Sequence, residues 1–512
     1  MKAITVSIFI CAFMLLRPYQ LQNSGLMYRG DDFSYMAHAT SLAYFNFPFY
    51  DKEYFEFGQG TPLHPIGASL LASPFVFAAS IIDRACGSDI VAKRTPANII
   101  KSWTAFGFTL ASVFYLWLAC LLLYKGLVFY FQPQVASLTV ILAVLSQGVP
   151  LFAFRRPVFS HIYEIFLQSL FLFLLLRLNK AGGYIFPVKE PKVLREAVLV
   201  GILAGFITLV RYNNIFMSLA WPAILFSLYY PRISVKKIIT LAVISYLSMA
   251  IFVFMFQIFP IFLNLPDIHQ YKGYLSMAET KMTLFTLYGP GFYIKRLGHC
   301  LGGLDWGLVF TAPYLLLGLF YLPWIKKDKI RAYLLLLLVP SAANLYIILA
   351  SRQQGGWYGY RYLIFSFIPI IVYPMASLIS LLKEKKPYFY YATIIIAILP
   401  VLSMLSFEGN NTNLTLRVID QGFGVASWGS NTYQMEIYKT IVTKPVDYLA
   451  AILKAGPVYL AYLLSALPGL KRYLPEAVYD RYGVFRSATL IKTTLVYLFP
   501  FVLLWIYKKR QG

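Results

Sequence analysis

The chain has 512 residues, of which 59% are hydrophobic and only 13% charged, where a soluble globular domain carries about 25% charged residues. Soluble enzyme folds and disordered scaffolds are thereby excluded, and apolar runs near the length of a bilayer recur throughout, which predicts an all-α polytopic membrane protein with about eleven to thirteen spans. The net charge of +24 comes from 45 Lys and Arg against 21 Asp and Glu; the basic residues cluster between apolar runs, so the excess reads as cytoplasmic loops and no nucleic-acid partner is expected.

In chain order, residues 1–16 read as a retained first anchor, because Arg17, Pro18, Tyr19 and Gln20 follow where a signal peptide would need small residues. Residues 19–65 hold Arg29 and Lys52 against Asp31, Asp32, Asp51, Glu53 and Glu56, an acidic balance that places this loop outside. Counting back from the later basic loops makes 66–82 a helix that dips into the membrane from a first external loop of residues 19–101, and 103–124 the second true span. Basic clusters at 177–195, at Arg232, Lys236 and Lys237, at 326–331 and at 383–386 mark cytoplasmic loops. Spans are then expected near 157–176, 197–230 (a tight helical pair), 238–258, 304–324, 332–350, 362–382 and 388–406, with 260–303, 351–361 and 407–447 facing outside. Residues 448–467 fit either a span or an interfacial helix. The organisation is a transmembrane core over 1–406, then an external segment and C-terminal membrane helices over 407–512. Cys11, Cys86, Cys120 and Cys300 show neither paired nor metal-ligand spacing, so no disulfide framework or zinc site is expected.

Chemistry in such a protein has to come from polar groups held at or within the membrane face, where ionisable residues are costly. Asp31 and Asp32 are adjacent carboxylates ahead of a short helix; their repulsion raises one pKa or recruits a cation, which suits a general base, and either residue would equally serve as an N-cap. Glu53 and then His64 follow in the same loop, and the histidine is placed to donate to a phosphate near the headgroups or simply to be solvated. Arg155, Arg156 and His161 are basic on a side where the orientation rule disfavours base, a pattern that binds anionic headgroups. Arg211, followed by Tyr212, lies between two apolar stretches too short to hide it. Its forked donors need an anion, either a phosphate or one of the first-loop acids. Trp357, Tyr358 and Arg361 sit in a glycine-rich external turn, where aromatic rings either stack on sugars or form an ordinary interfacial belt; Asp305 lies in a similar Gly/Trp run before another span.

Taken in order, GDDFSYMAHATSL, TPLHPIGASLLASPF, RRPVFSH, GILAGFITLVRYNN, GLDWGLVFTAPYLLLGL and GWYGYRYLIF resemble the integral-membrane glycosyltransferases of the GT-C fold, the group of protein O-mannosyltransferases, the aminoarabinose lipid A transferase and the mycobacterial arabinofuranosyltransferases. The likeness is one of ordered features over roughly the first 370 residues. It implies a GT-C-like bundle in a bacterial cytoplasmic membrane, with its active site facing the periplasm. It also implies an inverting transfer of a sugar from a polyprenyl-phosphate donor to a lipid-linked glycan, lipid A, or a protein or pilin acceptor. By motif position the first-loop base matches Asp31, with Asp32 as the neighbour that could exchange roles with it. Arg211, His64, Arg155, Arg156, His161 and Arg361 are expected at the donor phosphate, and Glu53, Tyr212, Asp305, Trp357 and Tyr358 along the substrate. No cofactor follows with certainty; a divalent cation stays open because some members bind one. A transporter or flippase of lipid-linked glycans would explain the spans equally well but tends to show repeated halves, and no repeat is visible. A glycan polymerase or ligase would not need the paired first-loop acids.

Overall fold

The computed structural model describes residues 31–49, 64–87, 103–155, 157–181, 193–230, 232–263, 289–302, 307–326, 328–350 and 361–400, with Thr5, Ile8, Thr443 and Val446. Within them the chain forms helices α1 (Asp31–Ala43), α2 (Gly67–Ala85), α3 (Trp103–Val128), α4 (Pro133–Val140), α5 (Val149–Arg155), α6 (His161–Ala181), α7 (Val193–Val210) and α8 (Ile215–Ser227). They are followed by α9 (Val235–Val253), α10 (Pro290–Gly302), α11 (Pro313–Tyr321), α12 (Lys329–Ala350), α13 (Arg361–Lys385) and α14 (Pro387–Ile395). Helix α9 runs on to Leu263 through a π turn at Phe254–Ile258.

Among the described residues, 7 helices are long and apolar enough to cross a membrane: Gly67–Ala85, Trp103–Val128, His161–Lys180, Val193–Val210, Val235–Leu263, Lys329–Leu349 and Ser366–Lys385. Shorter apolar helices cover Pro133–Leu145, Pro313–Trp324 and Pro387–Pro400, each opened by a proline whose missing N–H costs nothing in a first helical turn. The protein is therefore a polytopic helical membrane bundle. Two of the spans expected from sequence, near 304–324 and 388–406, fall on the shorter helices Pro313–Trp324 and Pro387–Pro400. Apart from Thr5, Ile8, Thr443 and Val446, the first anchor and the 407–512 region lie outside the described residues.

Lipid offers no hydrophobic drive for helices to associate, so close backbone approach through small residues carries much of the packing. Helix α7 meets α9 in this way. Gly201 packs directly on the Ser245 carbonyl, Gly205 faces Phe252, and the Ser245 hydroxyl donates to Ala197 O at 2.7 Å. Helix α3 receives α2 at Gly107, where a Cβ would come within 2.5 Å of Phe75 O. The start of α3 is capped from a distance: the Asp83 carboxylate accepts from Trp103 N at 3.0 Å, Thr104 N at 2.8 Å and Thr104 Oγ1 at 2.6 Å, satisfying donors that the helix itself leaves unpaired.

These contacts fix the two ends of the bundle. Lys383 Nζ donates to Gln132 and Gln134, Tyr130 OH to Leu176 O, Ser227 Oγ to Tyr333 OH, and Tyr229 OH to Glu196. The end of α6, the starts of α7, α9 and α12 and the end of α13 therefore share one face, which carries Arg177, Lys180, Arg195, Lys236, Lys237, Lys329, Arg331, Lys383 and Lys385. At the opposite end lie the start of α6, the α7–α8 turn and the start of α13, joined by contacts among His161, Glu164, Arg211 and Ser366.

Candidate functional site

The site is built where α7 stops. Val210 ends the helix, and Arg211 adopts an extended backbone (φ −159°, ψ 126°) before the single 3-10 turn Tyr212–Asn214 leads into α8. The tight helical pair expected over 197–230 is thus present, with Arg211 at its turn. From there the guanidinium reaches the first turn of α6: Arg211 Nη1 donates to His161 Nδ1 at 2.6 Å and stands 3.6 Å from Glu164 Oε2. His161 Nδ1 and Glu164 Oε2 are 4.0 Å apart. Ser366 Oγ from α13 donates to Glu164 Oε1 at 2.9 Å. Among the described residues Glu164 of a spanning helix is an anionic partner of Arg211; the side chains of the first-loop acids, the intramolecular anions expected from sequence, lie outside them.

Two further elements close on this cluster. Helix α2 begins directly on the end of α7, with Gly67 so near that a Cβ would fall 2.5 Å from Val210 N. Its unpaired first amide, Ile66 N, is taken by Gln257 Oε1 at 3.0 Å, from the π turn that interrupts α9. Such turns frequently mark functional positions. The start of α2 carries His64, whose ring lies 5.4 Å from that of Tyr35 and whose carbonyl accepts from His38 Nε2 at 2.9 Å; Ser69 Oγ donates to Tyr35 O at 2.6 Å. The helix that Asp31 and Asp32 open is thereby laid against the start of α2, at the Arg211 end of that helix.

Because Gly67 has no space for a side chain, Gly67→Ala must push α2 off α7. We expect the substitution to cost about 1–3 kcal/mol, with more lost in the grip on Arg211 than in the distant α7–α9 seam. Thermal unfolding in nanodiscs, compared with a Gly205→Ala control, is the check; equal effects would mean that the α2–α7 contact is not special.

The cluster is recessed. Tyr163, between His161 and Glu164, packs on Tyr115 with ring centroids 5.3 Å apart, and Tyr115 OH donates to Leu71 O. From Trp103 to Tyr115 helix α3 rises about 18 Å, so α2 and the first half of α3 run on together past the cluster, away from the basic end. At 19 residues α2 is also long enough to cross.

The described backbone brings the start of α1 (Asp31, Asp32), His64, the end of α5 (Arg155), His161, Arg211, Tyr212 and the start of α13 (Arg361) to this end of the bundle. The side chains of Asp31, Asp32, Arg155 and Arg361, and the whole of Glu53, Arg156, Asp305, Trp357 and Tyr358, lie outside the described residues. Sequence reasoning missed Glu164, Ser366, Gln257 and His38. For Glu164 a signal existed, a lone acid in the otherwise uncharged run HIYEIFLQSLFLFLLL. Among the described residues no group of three His, Cys, Asp or Glu could hold a metal ion.

His38 is 2% exposed, and its Nε2–H donates to the His64 carbonyl, which can only accept. Burial, the largest cause, lowers its pKa from 6.5 to about 3. Between those values the unfolded chain binds the proton and the folded one does not, so this group makes stability fall as the pH drops below 6.5, by up to about 1.4 kcal/mol per pH unit. We expect His38→Gln to flatten the loss of thermal stability between pH 6.5 and 4.5. Parallel wild-type and variant curves would refute the assignment.

No protein-family model matches the chain, and no curated protein matches it. Among solved structures it is similar to the oligosaccharyltransferase of Archaeoglobus fulgidus. The complex of that protein with Zn and sulfate aligns with a TM-score of 0.41 at 15% identity, covering 84% of this chain and 58% of that one. Its apo form gives 0.41 at 14% identity, with 84% and 60% covered. The archaeal oligosaccharyltransferase AglB of the same organism, in complex with an inhibitory peptide and a dolichol-phosphate, gives 0.38 at 12%, with 94% and 60% covered. The chain thus spans about 58–60% of the length of the structures it matches.

Proposed function

We propose that this protein transfers a sugar from a polyprenyl-phosphate donor to an acceptor hydroxyl at the external face of a bacterial cytoplasmic membrane, by inverting single displacement. The observation that carries the reading is Arg211: a guanidinium at the end of a spanning helix, aimed at His161, at the end of the bundle opposite the basic one. By the positive-inside rule the basic end is cytoplasmic and Arg211 faces out. A guanidinium retained at that depth suits an anionic substrate group even with its charge offset, because its fork carries five N–H donors and no acceptor, and a lipid-borne phosphate is the anion that arrives there.

Glu164 offsets the charge of Arg211, so Arg211 and His161 supply directed donors, and the charge of the phosphate is met by Arg155, Arg156 and Arg361 with His64. These groups stabilise the negative charge that grows on the leaving prenyl phosphate as the sugar bond breaks. Asp31 takes the proton of the incoming acceptor on the opposite face of an oxocarbenium-like sugar, with Asp32 beside it. Glu53, Tyr212, Asp305, Trp357 and Tyr358 contact the sugar and acceptor, and the prenyl chain lies between spans. A divalent cation, where one binds, would neutralise phosphate charge beside the first-loop acids; the steps assigned to the residues above do not require it.

The test is direct. Purified protein in nanodiscs is incubated with a panel of radiolabelled hexosyl and pentosyl prenyl phosphates, together with lipid-linked glycan, lipid A and peptide acceptors. Sugar on an acceptor with stoichiometric free prenyl phosphate is the expected result. Transport of the intact donor across the membrane without cleavage would replace this reading with a flippase.

A further inference from the structure

Glu164 is 1% exposed and sits in the first turn of a spanning helix, a position where a carboxylate is costly and retained for a reason. Its surroundings are ordered. Ser366 Oγ donates to Oε1 at 2.9 Å and the Asn214 side chain lies beside it, which leaves Oε2 turned to Arg211 Nη1 at 3.6 Å. The same Nη1 donates to His161 Nδ1 at 2.6 Å. A guanidinium does not give up its proton and has no acceptor, so the imidazole must accept. His161 is then neutral, with its proton on Nε2, because the nitrogen opposite a fixed donor carries the hydrogen. Carboxylate, guanidinium and imidazole form a chain, in which each member sets the orientation of the next.

We propose that Glu164 is a positioning residue: its carboxylate, itself held by Ser366, keeps Arg211 Nη1 on His161 Nδ1 and so fixes His161 as the neutral Nε2–H tautomer. The role in catalysis rests on the reading that Arg211 and His161 hold the donor phosphate. On that reading His161 gives the phosphate a hydrogen-bond donor without adding a cation beside Arg211, and the donor is already oriented before substrate enters. Misorientation on loss of Glu164 should then appear in turnover more than in binding, because the guanidinium charge remains.

The experiment follows the tautomer and the kinetics separately. The chain has 5 histidines, few enough for 15N-histidine labelling of the whole protein in nanodiscs, with His161 assigned by loss of its signals in His161→Gln. Wild type is expected to show His161 protonated at Nε2 and bare at Nδ1. Glu164→Gln, which keeps size but not charge, should give a mixture of tautomers. It should also lower kcat at least about tenfold with donor KM changed less than about threefold, the pattern of an interaction realised in the transition state. Glu164→Asp should recover part of both. Should Glu164→Gln fail to fold, Ser366→Ala makes a smaller change in the same direction and is read the same way. An unchanged His161 nitrogen pattern in both variants overturns the proposal. A shifted pattern supports it even if wild type transfers no sugar at all, in which case the transferase reading falls and the positioning chain stands.

Discussion

Arg211→Ala is expected to weaken donor binding and to destabilise the protein by about 3–5 kcal/mol, the scale for removing one partner of a buried ion pair. The argument rests on what stays behind. Glu164 is 1% exposed and 3.6 Å from Arg211 Nη1, so deleting the guanidinium leaves a carboxylate within a spanning helix without its counter-charge. His161 Nδ1 loses its donor in the same step. The double variant Arg211→Met, Glu164→Gln removes both charges while keeping similar volume, and it should regain most of the lost thermal stability, because neutral replacement of an ion pair is often tolerated. Donor affinity should not return with it. Unfolding in nanodiscs and titration with a fluorescent prenyl-phosphate sugar separate these outcomes. If the double variant binds the donor as wild type does, the phosphate site lies elsewhere.

What the sequence disclosed and what it hid follow from one difference. A charge interrupting apolar residues is visible, because its desolvation cost has to be explained; Arg211 and His161 stand out for that reason, and the turn at Arg211 was legible along with them. The positions brought to one end of the bundle lie in segments that also carry unusual charge or punctuation, such as GDDF and RRPVFSH. Glu164 carried the same signal, a lone acid one helical turn after His161 and on its face, in a run that otherwise reads as a span. Ser366 and Gln257 are neutral polar residues within apolar helices and leave no signature; their partners are 202 residues away, at Glu164, and 191 away, at Ile66. The approach of Gly67 to α7 is likewise a fact of tertiary packing, with nothing in GASLLASPF to announce it. The anion for Arg211 was sought among first-loop acids because those are numerous, and the described residues add Glu164, from the helix that the arginine packs against.

The second large effect concerns the paired acids. Asp31 and Asp32 are the first two residues of α1, and by motif position Asp31 is the base of the proposed mechanism, with Asp32 its neighbour. On the proposed mechanism Asp31→Asn should lower kcat about 10²–10⁴-fold, the usual contribution of a general base, while the donor still binds with wild-type affinity. Asp32→Asn should cost much less, since its share is the field of a neighbouring charge and not the proton transfer itself. Single-turnover assays with preformed donor complex, run beside equilibrium binding, resolve the two. Equal losses in both variants would make the pair a joint site for a cation, and no loss in either would move the base off α1 altogether.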